Sequence, residues 1–269
     1  MTDETAFIQK YGNILGRGKT ALICGTDDVV AKIYVEGFAK QEIFHEAYLM
    51  AQVEQSDLPV PKVYGIEQCG SRYVLKMSRA KGRSLGELLL TGEITPEACM
   101  DILTPLQVQM HQIQIPETFL PMKKSTLYTN IRYNPLLTDA EKEELLNLLG
   151  TLPDGHSLCH GDFHAGNVQS DGENYSILDW AEVSSGPAAS DACRTYLDYK
   201  YLGKYLMPEE LAERMAELFL EKYTAASGIS RDEIFAWLPI TAAGLYGFVQ
   251  DKEMNQELRS VVLARGTQG

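Results

Sequence analysis

Apolar and polar positions change period as the chain proceeds. Between residues 21 and 78, short runs rich in β-branched and apolar residues predominate: ALIC (21–24), VVAKIY (29–34), KVYGIEQ (62–68) and RYVLKMS (72–78). Such runs predict strands, and the turn residues Gly25-Thr26-Asp27-Asp28 and Cys69-Gly70-Ser71 predict that they pair as hairpins. One segment has a different period. In QEIFHEAYLMAQVEQ (41–55), Ile43, Ala47 and Met50, together with Phe44 and Tyr48, fall at helical spacing. The prolines of LPVPKVYG end that helix and force extended backbone.

From residue 83 the helical period dominates. Thr95-Pro96-Glu97 predicts an N-cap followed by proline in the first turn, opening a helix to about Ile113. Thr138-Asp139-Ala140-Glu141 is a capping box for a helix ending near Gly150, and Ser230-Arg231-Asp232-Glu233 is another. Between them SLCHGD, NVQS and YSILDW are short strand-like pieces, the last two joined by Asp171-Gly172. No repeat or low-complexity linker interrupts this order. The expected fold class is α+β: a small β-rich N-terminal lobe over residues 1–82, then a larger helical lobe over 83–269 with a β insertion.

Composition adds exclusions. No apolar run approaches the ~20 residues of a membrane span. The polar, acidic start MTDETAFIQK reads as neither a signal nor a transit peptide, so none is expected. The 5 cysteines are scattered and contain no C-x-x-C pair, which suits a reducing cytosol rather than a disulfide or zinc framework. A formal net charge of −13 argues against nucleic acid or an anionic membrane as partner. Most of that excess lies between residues 133 and 193, where eleven acids face Lys142 alone.

The stretch LGRGKTALI (15–23) resembles two phosphate-binding loops. Gly18-Lys19-Thr20 ends like a Walker A loop, but Asn13 stands where its first glycine belongs, and a strand pattern follows where a helix N-terminus is needed. The alternative is the glycine-rich turn of a kinase-like fold, with Gly16 and Gly18. That reading requires a strand lysine and a helical glutamate. Lys32 in VVAKIY and Glu46 in the following helix supply them, with Glu42 one turn earlier as rival partner.

Downstream, His160-Gly161-Asp162-Phe163-His164-Ala165-Gly166-Asn167 is followed by Ile177-Leu178-Asp179-Trp180. Phosphoryl transfer needs a carboxylate to orient and deprotonate the acceptor hydroxyl, and oxygen ligands for Mg²⁺. An aspartate, an asparagine five residues on, and a second aspartate after a short hairpin provide all three groups.

The strings HGDFHAGN and ILDW resemble the signature of the aminoglycoside phosphotransferase family, small-molecule kinases related to protein kinases. LPVPKVYG and Met110-His111-Gln112-Ile113 resemble that family's flanking segments, and the resemblance runs from about residue 12 to about 200. It implies a bilobal protein-kinase-like fold with ATP or GTP bound between the lobes and Mg²⁺ as cofactor. It also implies roles. Asp162 is the catalytic base, Lys32 binds the phosphates with Glu46 positioning it, and Asn167 and Asp179 hold magnesium. Asp191, with His160, braces the catalytic loop. The hinge that holds the base falls at Met77-Ser78-Arg79-Ala80, so Met77 and Arg79 join Gly16 and Gly18 as nucleotide-binding residues. This sequence departs from the family pattern at Phe163 and Ala165, where leucine and proline are common, and at Gly186-Pro187, which lacks an intervening aspartate. Gly161 stands where regulated protein kinases carry an arginine.

Two rival readings stay open at this stage: a metal-hydrolase cluster of His160, Asp162 and His164, and a non-catalytic kinase-like module. The family's acceptors include aminoglycosides, choline-like amines, homoserine, methylthioribose, sugars and macrolides. The acidic stretch points to a small cation such as an aminoglycoside, with Glu182 and Asp198 expected to line its cleft. The expected state is a monomer or weak dimer in the cytoplasm, with a nucleoside triphosphate and a small acceptor as partners.

Overall fold

The computed structural model describes residues 3–18, 20–116 and 119–264, so Lys19 lies outside the described residues. The chain divides into two compact units, residues 1–84 with 167–181 and residues 85–166 with 182–269. The hairpin over residues 168–177 thus packs within the first unit, although it follows residue 82 in sequence.

The first unit opens with α1 (Asp3–Tyr11), then β1 (Asn13–Arg17), β2 (Ala21–Gly25), β3 (Val29–Tyr34), α2 (Lys40–Val53), β4 (Val63–Cys69) and β5 (Arg72–Ser78). The five strands form an antiparallel sheet in the order β1-β2-β3-β5-β4. Helix α1 lies in the acidic start whose pattern predicted no element. Its Phe7 and Tyr11, one turn apart, are buried with Leu22, Cys24, Ala31, Ile33 and Val74. Because side chains alternate along a strand, Ala31 and Ile33 take that face and Lys32 and Tyr34 the other. Helix α2 buries Ile43, Ala47, Leu49, Met50 and Val53. Phe44 and Tyr48, expected on that apolar stripe, are 49% and 45% exposed, because the buried stripe widens from the Ile43–Ala47–Met50 row toward Leu49 and Val53, on the opposite side. Gly16 is also displaced from its expected turn. It sits within β1 opposite Ile23, at a bulge, and only Gly18 is in the turn, where its N–H donates to the Ala21 carbonyl at 2.9 Å.

The unit is completed by β6 (Arg83–Ser84), β8 (Val168–Ser170) and β9 (Tyr175–Ile177), a three-stranded sheet in the order β6-β8-β9. The turn of the β8–β9 hairpin is closed by Asp171, whose Oδ1 accepts from the N–H groups of Glu173 and Asn174, with Gly172 at φ 97°.

The second unit contains α3 (Leu85–Leu90), α4 (Pro96–Gln112), α5 (Lys123–Arg132), α6 (Asp139–Thr151), β7 (Ser157–Cys159) and β10 (Ser184–Gly186). It continues with α7 (Ala188–Leu197), α8 (Glu209–Ser227), α9 (Arg231–Phe235), α10 (Leu238–Leu245) and α11 (Lys252–Leu263). Its helix starts follow their caps. Thr95 accepts from the Ala98 N–H, and both capping boxes, Thr138–Glu141 and Ser230–Glu233, close in both directions. The apolar helix α10 packs against α5, α6, α7 and α11, and α4 lies along α8. Helix α7, buried from Ala189 to Leu197, runs into a π-turn over Asp198–Leu202. Among the described residues no helix is long and apolar enough to cross a membrane.

Candidate functional site

In the first unit, Lys32 reaches across to α2 and its Nζ donates to Glu46 Oε1 at 2.6 Å. The Tyr34 hydroxyl, two residues on and on the same face, donates to Glu46 Oε2 at 2.7 Å. Both Glu46 oxygens are therefore engaged, while the rival Glu42 is exposed. Burial, then the charge of Glu46 and its hydrogen bond, push the Tyr34 hydroxyl far above its ordinary range, and the charge of Asp179 adds to this. Asp179 thus shares an electrostatic neighbourhood with the Lys32–Glu46–Tyr34 set.

The hairpin sets the ends of its two strands side by side. Val168 pairs with Ile177, and the Leu178 N–H donates to the Asn167 carbonyl at 2.8 Å, so Asn167 precedes one strand where Asp179 follows the other. Asp179 has φ 61°, the one positive φ at a non-glycine among the described residues. Its neighbours hold it there: the buried Trp180 indole donates to the Ile177 carbonyl at 3.0 Å, and the Ile177 N–H donates to the Pro59 carbonyl at 2.8 Å. Backbone strain of this kind collects at functional positions. An amide and a carboxylate oxygen are hard donors, the set that fits Mg²⁺.

Met77 lies in the ladder opposite Val30 and Val63. Arg79 follows β5, its N–H on the Asp28 carbonyl at 2.9 Å and its guanidinium on the Thr26 carbonyl at 2.7 Å. It lines a cavity of about 310 Å³ with Asp27, Lys81 and Gly82.

In the second unit, one helix face holds the loop 160–165 almost residue by residue. Asp191 Oδ2 accepts from the His160 N–H at 3.0 Å and Oδ1 from the Gly161 N–H at 2.7 Å. Arg194 Nη2 donates to Asp162 Oδ1 at 2.6 Å. The Thr195 hydroxyl donates to the Phe163 carbonyl at 3.0 Å, and the Tyr199 hydroxyl accepts from the Ala165 N–H at 2.9 Å. Residues 191, 194, 195, 198 and 199 fall at i, i+3, i+4, i+7 and i+8, a single stripe of a helix. Helix α4 backs this stripe. Gln107 donates to the Thr195 hydroxyl at 2.9 Å, and His111 sits 3.0 Å from Asp191 Oδ2 and 2.7 Å from the Tyr223 hydroxyl.

Asp191 is 1% exposed. Burial pushes its carboxyl up, but the hydrogen bond with His111, with Lys123 and His160 nearby, outweighs this and holds it below the usual carboxylate range. Gly161 takes φ 88°, and a Cβ there would lie 2.6 Å from the Glu182 carbonyl oxygen. Only glycine fits, so the arginine found at this point in regulated protein kinases has no room.

A guanidinium nevertheless arrives at the same carboxylate from α7. Arg194 Nε donates to Asp198 Oδ1 and Oδ2 at 2.9 and 2.8 Å, Nη1 to Glu182 at 3.3 Å and Nη2 to Asp162. His164 Nε2 lies 3.6 Å from Asp162 Oδ2. Burial raises the Asp162 carboxyl, but the hydrogen bond to His164 and the charge of Arg194 outweigh it and hold it well below the usual carboxylate range. Burial likewise opposes protonation of His164, yet the contact with Asp162 and its charge raise that imidazole above 6.5. Burial pushes Asp198 up to about 6, against the pull of Arg194.

These contacts decide several sequence expectations. Asp198, expected to line a cleft for a cation, is only 13% exposed along its side chain, with both oxygens on Arg194. Glu182 is 55% exposed and also touches Arg194. The proposed zinc cluster does not assemble: the His160 ring is buried edge-on to Phe163, with Nδ1 accepting the Asp162 N–H at 3.2 Å. Among the described residues, the potential ligand atoms that gather belong to His111, Cys159 and Asp191. There His111 and Asp191 already hold other partners, and burial pushes the Cys159 thiol far up. Cys193 is buried and pushed up to about 12 in the same way. Sequence reasoning missed Arg194, Thr195 and Tyr199. The polar stripe at helical spacing inside an otherwise apolar segment was the available signal.

Residues 21–233 match the model of the phosphotransferase enzyme family. No curated protein matches the chain. Among solved structures, the chain resembles a thermostable mutant of the aminoglycoside phosphotransferase APH(4)-Ia in ternary complex with AMP-PNP and hygromycin B. The TM-score is 0.68 at 16% identity, over 99% of this chain and 98% of that one. It also resembles an aminoglycoside-3'-phosphotransferase of type VIII, with TM-score 0.61 and 17% identity over 90% and 97% of the two chains. A third is APH(3'')-Id from Streptomyces rimosus with ADP and streptomycin, with TM-score 0.60 and 17% identity over 92% and 100%.

Proposed function

The chain belongs to the phosphotransferase enzyme family, and from that premise we propose that it moves the γ-phosphoryl group of ATP or GTP to a hydroxyl of a small cationic acceptor, such as an aminoglycoside. In the step, the acceptor oxygen forms a bond to the γ-phosphorus, and the bond from that phosphorus to the β–γ bridging oxygen breaks. The electron pair leaves with the nucleoside diphosphate, and the hydroxyl proton passes to Asp162. The observation that carries this reading is the fixed, partly exposed Asp162 carboxylate on a loop gripped from His160 to Ala165. Positioning of this kind supplies most of the catalysis in phosphoryl transfer.

Lys32, oriented by Glu46, binds the nucleotide phosphates. Asn167 and Asp179 would hold Mg²⁺, which would offset charge on the phosphate oxygens. Gly18, Gly16, Met77 and Arg79 serve the nucleotide, and Asp191 with His160 braces the loop. The cationic acceptor is supported by Asp162 and Glu182, the acids of the cluster with open side-chain surface, 30% and 55% exposed. The aminoglycosides bound in the similar structures agree with that chemistry.

The test is nucleoside diphosphate release by purified protein with Mg²⁺ and either ATP or GTP, across a panel of aminoglycosides, choline, homoserine, methylthioribose, sugars and macrolides. Turnover with a cationic acceptor is expected. Turnover with an uncharged acceptor alone would reject the cationic part, and none with any acceptor would reject the reading.

A further inference from the structure

We propose that Arg194 is a positioning residue for phosphoryl transfer: its guanidinium fixes the Asp162 carboxylate in place and ties it to the segment carrying Glu182 and the π-turn carrying Asp198. This rests on the phosphotransferase reading of Asp162 and adds a residue outside the set of groups assigned to it.

The geometry argues for a dedicated device rather than an incidental surface pair. Arg194 is 9% exposed and spends all three nitrogens on carboxylates from three separate segments: the catalytic loop, the turn after the hairpin, and the π-turn. A guanidinium is a rigid planar fork, so fixing its Nε and Nη1 also fixes the direction in which Nη2 points. Asp198 supplies the anchor, taking Nε through both oxygens, and Nη2 is then aimed at Asp162 at 2.6 Å. The helix register enforces the same result. Asp191, three residues earlier on that face, fixes the backbone at His160 and Gly161, so backbone and side chain of the loop are set by one rigid element. The π-turn beginning at Asp198 adds an independent mark, because such irregular turns occur frequently at functional sites.

The chemical consequence concerns what Asp162 does. A carboxylate held by a guanidinium at short range is a weak base, yet its Oδ2, which His164 Nε2 approaches at 3.6 Å, has a second lone pair with which to accept from the hydroxyl. In the loose transition state of phosphoryl transfer, the nucleophile needs aim more than early deprotonation. Asp162 therefore holds the hydroxyl in line while the oxygen–phosphorus bond forms, and takes the proton as that bond makes the hydroxyl acidic. Arg194 keeps the carboxylate from rotating out of line.

The experiment uses the full-length protein with Mg²⁺, the better nucleotide and the best acceptor from the panel. Arg194→Lys keeps the charge and loses the fork, and Arg194→Gln loses both. Each is measured alone and combined with Asp162→Asn, and Asp198→Asn loosens the fork from its anchored side should Arg194→Gln fail to fold. We expect Arg194→Lys to lower kcat by ~10–100-fold with nucleotide KM within about twofold of the parent. In the Asp162→Asn background the same change should have no further effect, because a residue acting through Asp162 has nothing left to position. A merely structural arginine would instead lower both backgrounds by the same factor, and that outcome overturns the proposal, as does parental kcat in Arg194→Lys. Absence of turnover in the parent overturns the phosphotransferase reading itself and this proposal with it.

Discussion

The loop from His160 to Ala165 and the hairpin from Asn167 to Asp179 adjoin in sequence, yet they are held by different forces. The loop lacks ladder hydrogen bonds beyond β7 and takes its shape from side chains on one helix: Asp191, Arg194, Thr195 and Tyr199. The hairpin is held by its own backbone, through the Val168–Ile177 register and the Leu178–Asn167 bond. Its strain is concentrated at Asp179. Shape set by side chains depends on the identity of each one, whereas shape set by a backbone ladder tolerates substitution except where a side chain itself acts or a dihedral is forced.

The largest effect is expected where the loop presents its chemistry. Removing a positioned general base costs ~10²–10⁴ in rate, so Asp162→Ala should lower kcat by that order. Nucleotide affinity, assigned to the other unit, should barely change. Steady-state kinetics with a nucleotide-binding titration measure both, and near-parental turnover would remove Asp162 from the mechanism.

Next comes the brace. Asp191→Ala leaves two backbone N–H groups and His111 without their buried carboxylate, which should cost about 3–5 kcal/mol of stability. Thermal melting measures it. The pH dependence has a definite sign. Asp191 is held below its ordinary value of 3.8, so its contribution is full above the unfolded pKa and fades as pH falls through the folded one. The Tm difference between parent and variant should therefore stay constant near neutrality and narrow only in strong acid. A difference that narrows between pH 5 and pH 7 would mean that Asp191 is not the group responsible.

The comparison also explains what was legible in the sequence. Ladder and cap signals are local, which is why β2, β3, α4 and both capping boxes fall where their patterns place them. The pairing of Lys32 with Glu46 follows from a strand and an adjacent helix. The stripe from Asp191 to Tyr199 was legible only as polar residues at helical spacing; what it holds was not, because two partners of Arg194 lie 32 and 12 residues back in the chain. Asp198 was misplaced for a different reason. Just beyond the acidic stretch it reads as a further cleft acid, and although Arg194 is only four residues earlier, only the fold shows that the pair is buried together. Helix α1 was hidden by its acidic start, since two apolar anchors one turn apart are too few to mark a period.

A smaller effect tests the strain assigned to the hairpin. A non-glycine residue in the left-handed region costs ~1–2 kcal/mol, somewhat less for aspartate, and glycine relieves it. Asp179→Gly should therefore be more stable than Asp179→Ala by about 1 kcal/mol. Both should lose Mg²⁺-dependent nucleotide binding equally, since neither offers a carboxylate. Melting temperatures and nucleotide titrations with and without Mg²⁺ separate the two consequences. Retention of Mg²⁺-dependent binding by either variant would show that Asp179 is no ligand and that its backbone is strained for another reason.

The smallest effect concerns the acceptor, and the comparison of the two segments narrows it. The acidic stretch from 133 to 193 first reads as a broad field for a polycation, but its members are unequal. Asp191 is buried in its brace, Asp198 beyond it is consumed by Arg194, Asp154 pairs with Lys124, and Asp139, Glu141 and Asp171 serve caps and turns. Glu143 and Glu144 are exposed on α6 and Glu173 in the hairpin turn, and Asp179 belongs to the proposed metal pair. Beside Asp162 itself, the half-exposed Glu182 is then the acid of the stretch within the Arg194 cluster. Two such carboxylates exert a weak pull, comparable to surface ion pairs of ~0.2–1 kcal/mol and screened beyond ~8–10 Å at physiological salt. For a cationic acceptor, kcat/KM should thus fall about threefold between low and physiological ionic strength, within that energy range, while kcat stays level. Glu182→Gln should remove most of that slope, because it deletes the more exposed of the two charges while the glutamine carbonyl can still accept from Arg194 Nη1 and Asp198 keeps its hold on Nε. A salt response unchanged in Glu182→Gln would assign the acceptor's cation to other acids of the helical unit, and a flat response in the parent would mean that its charge is not read at all.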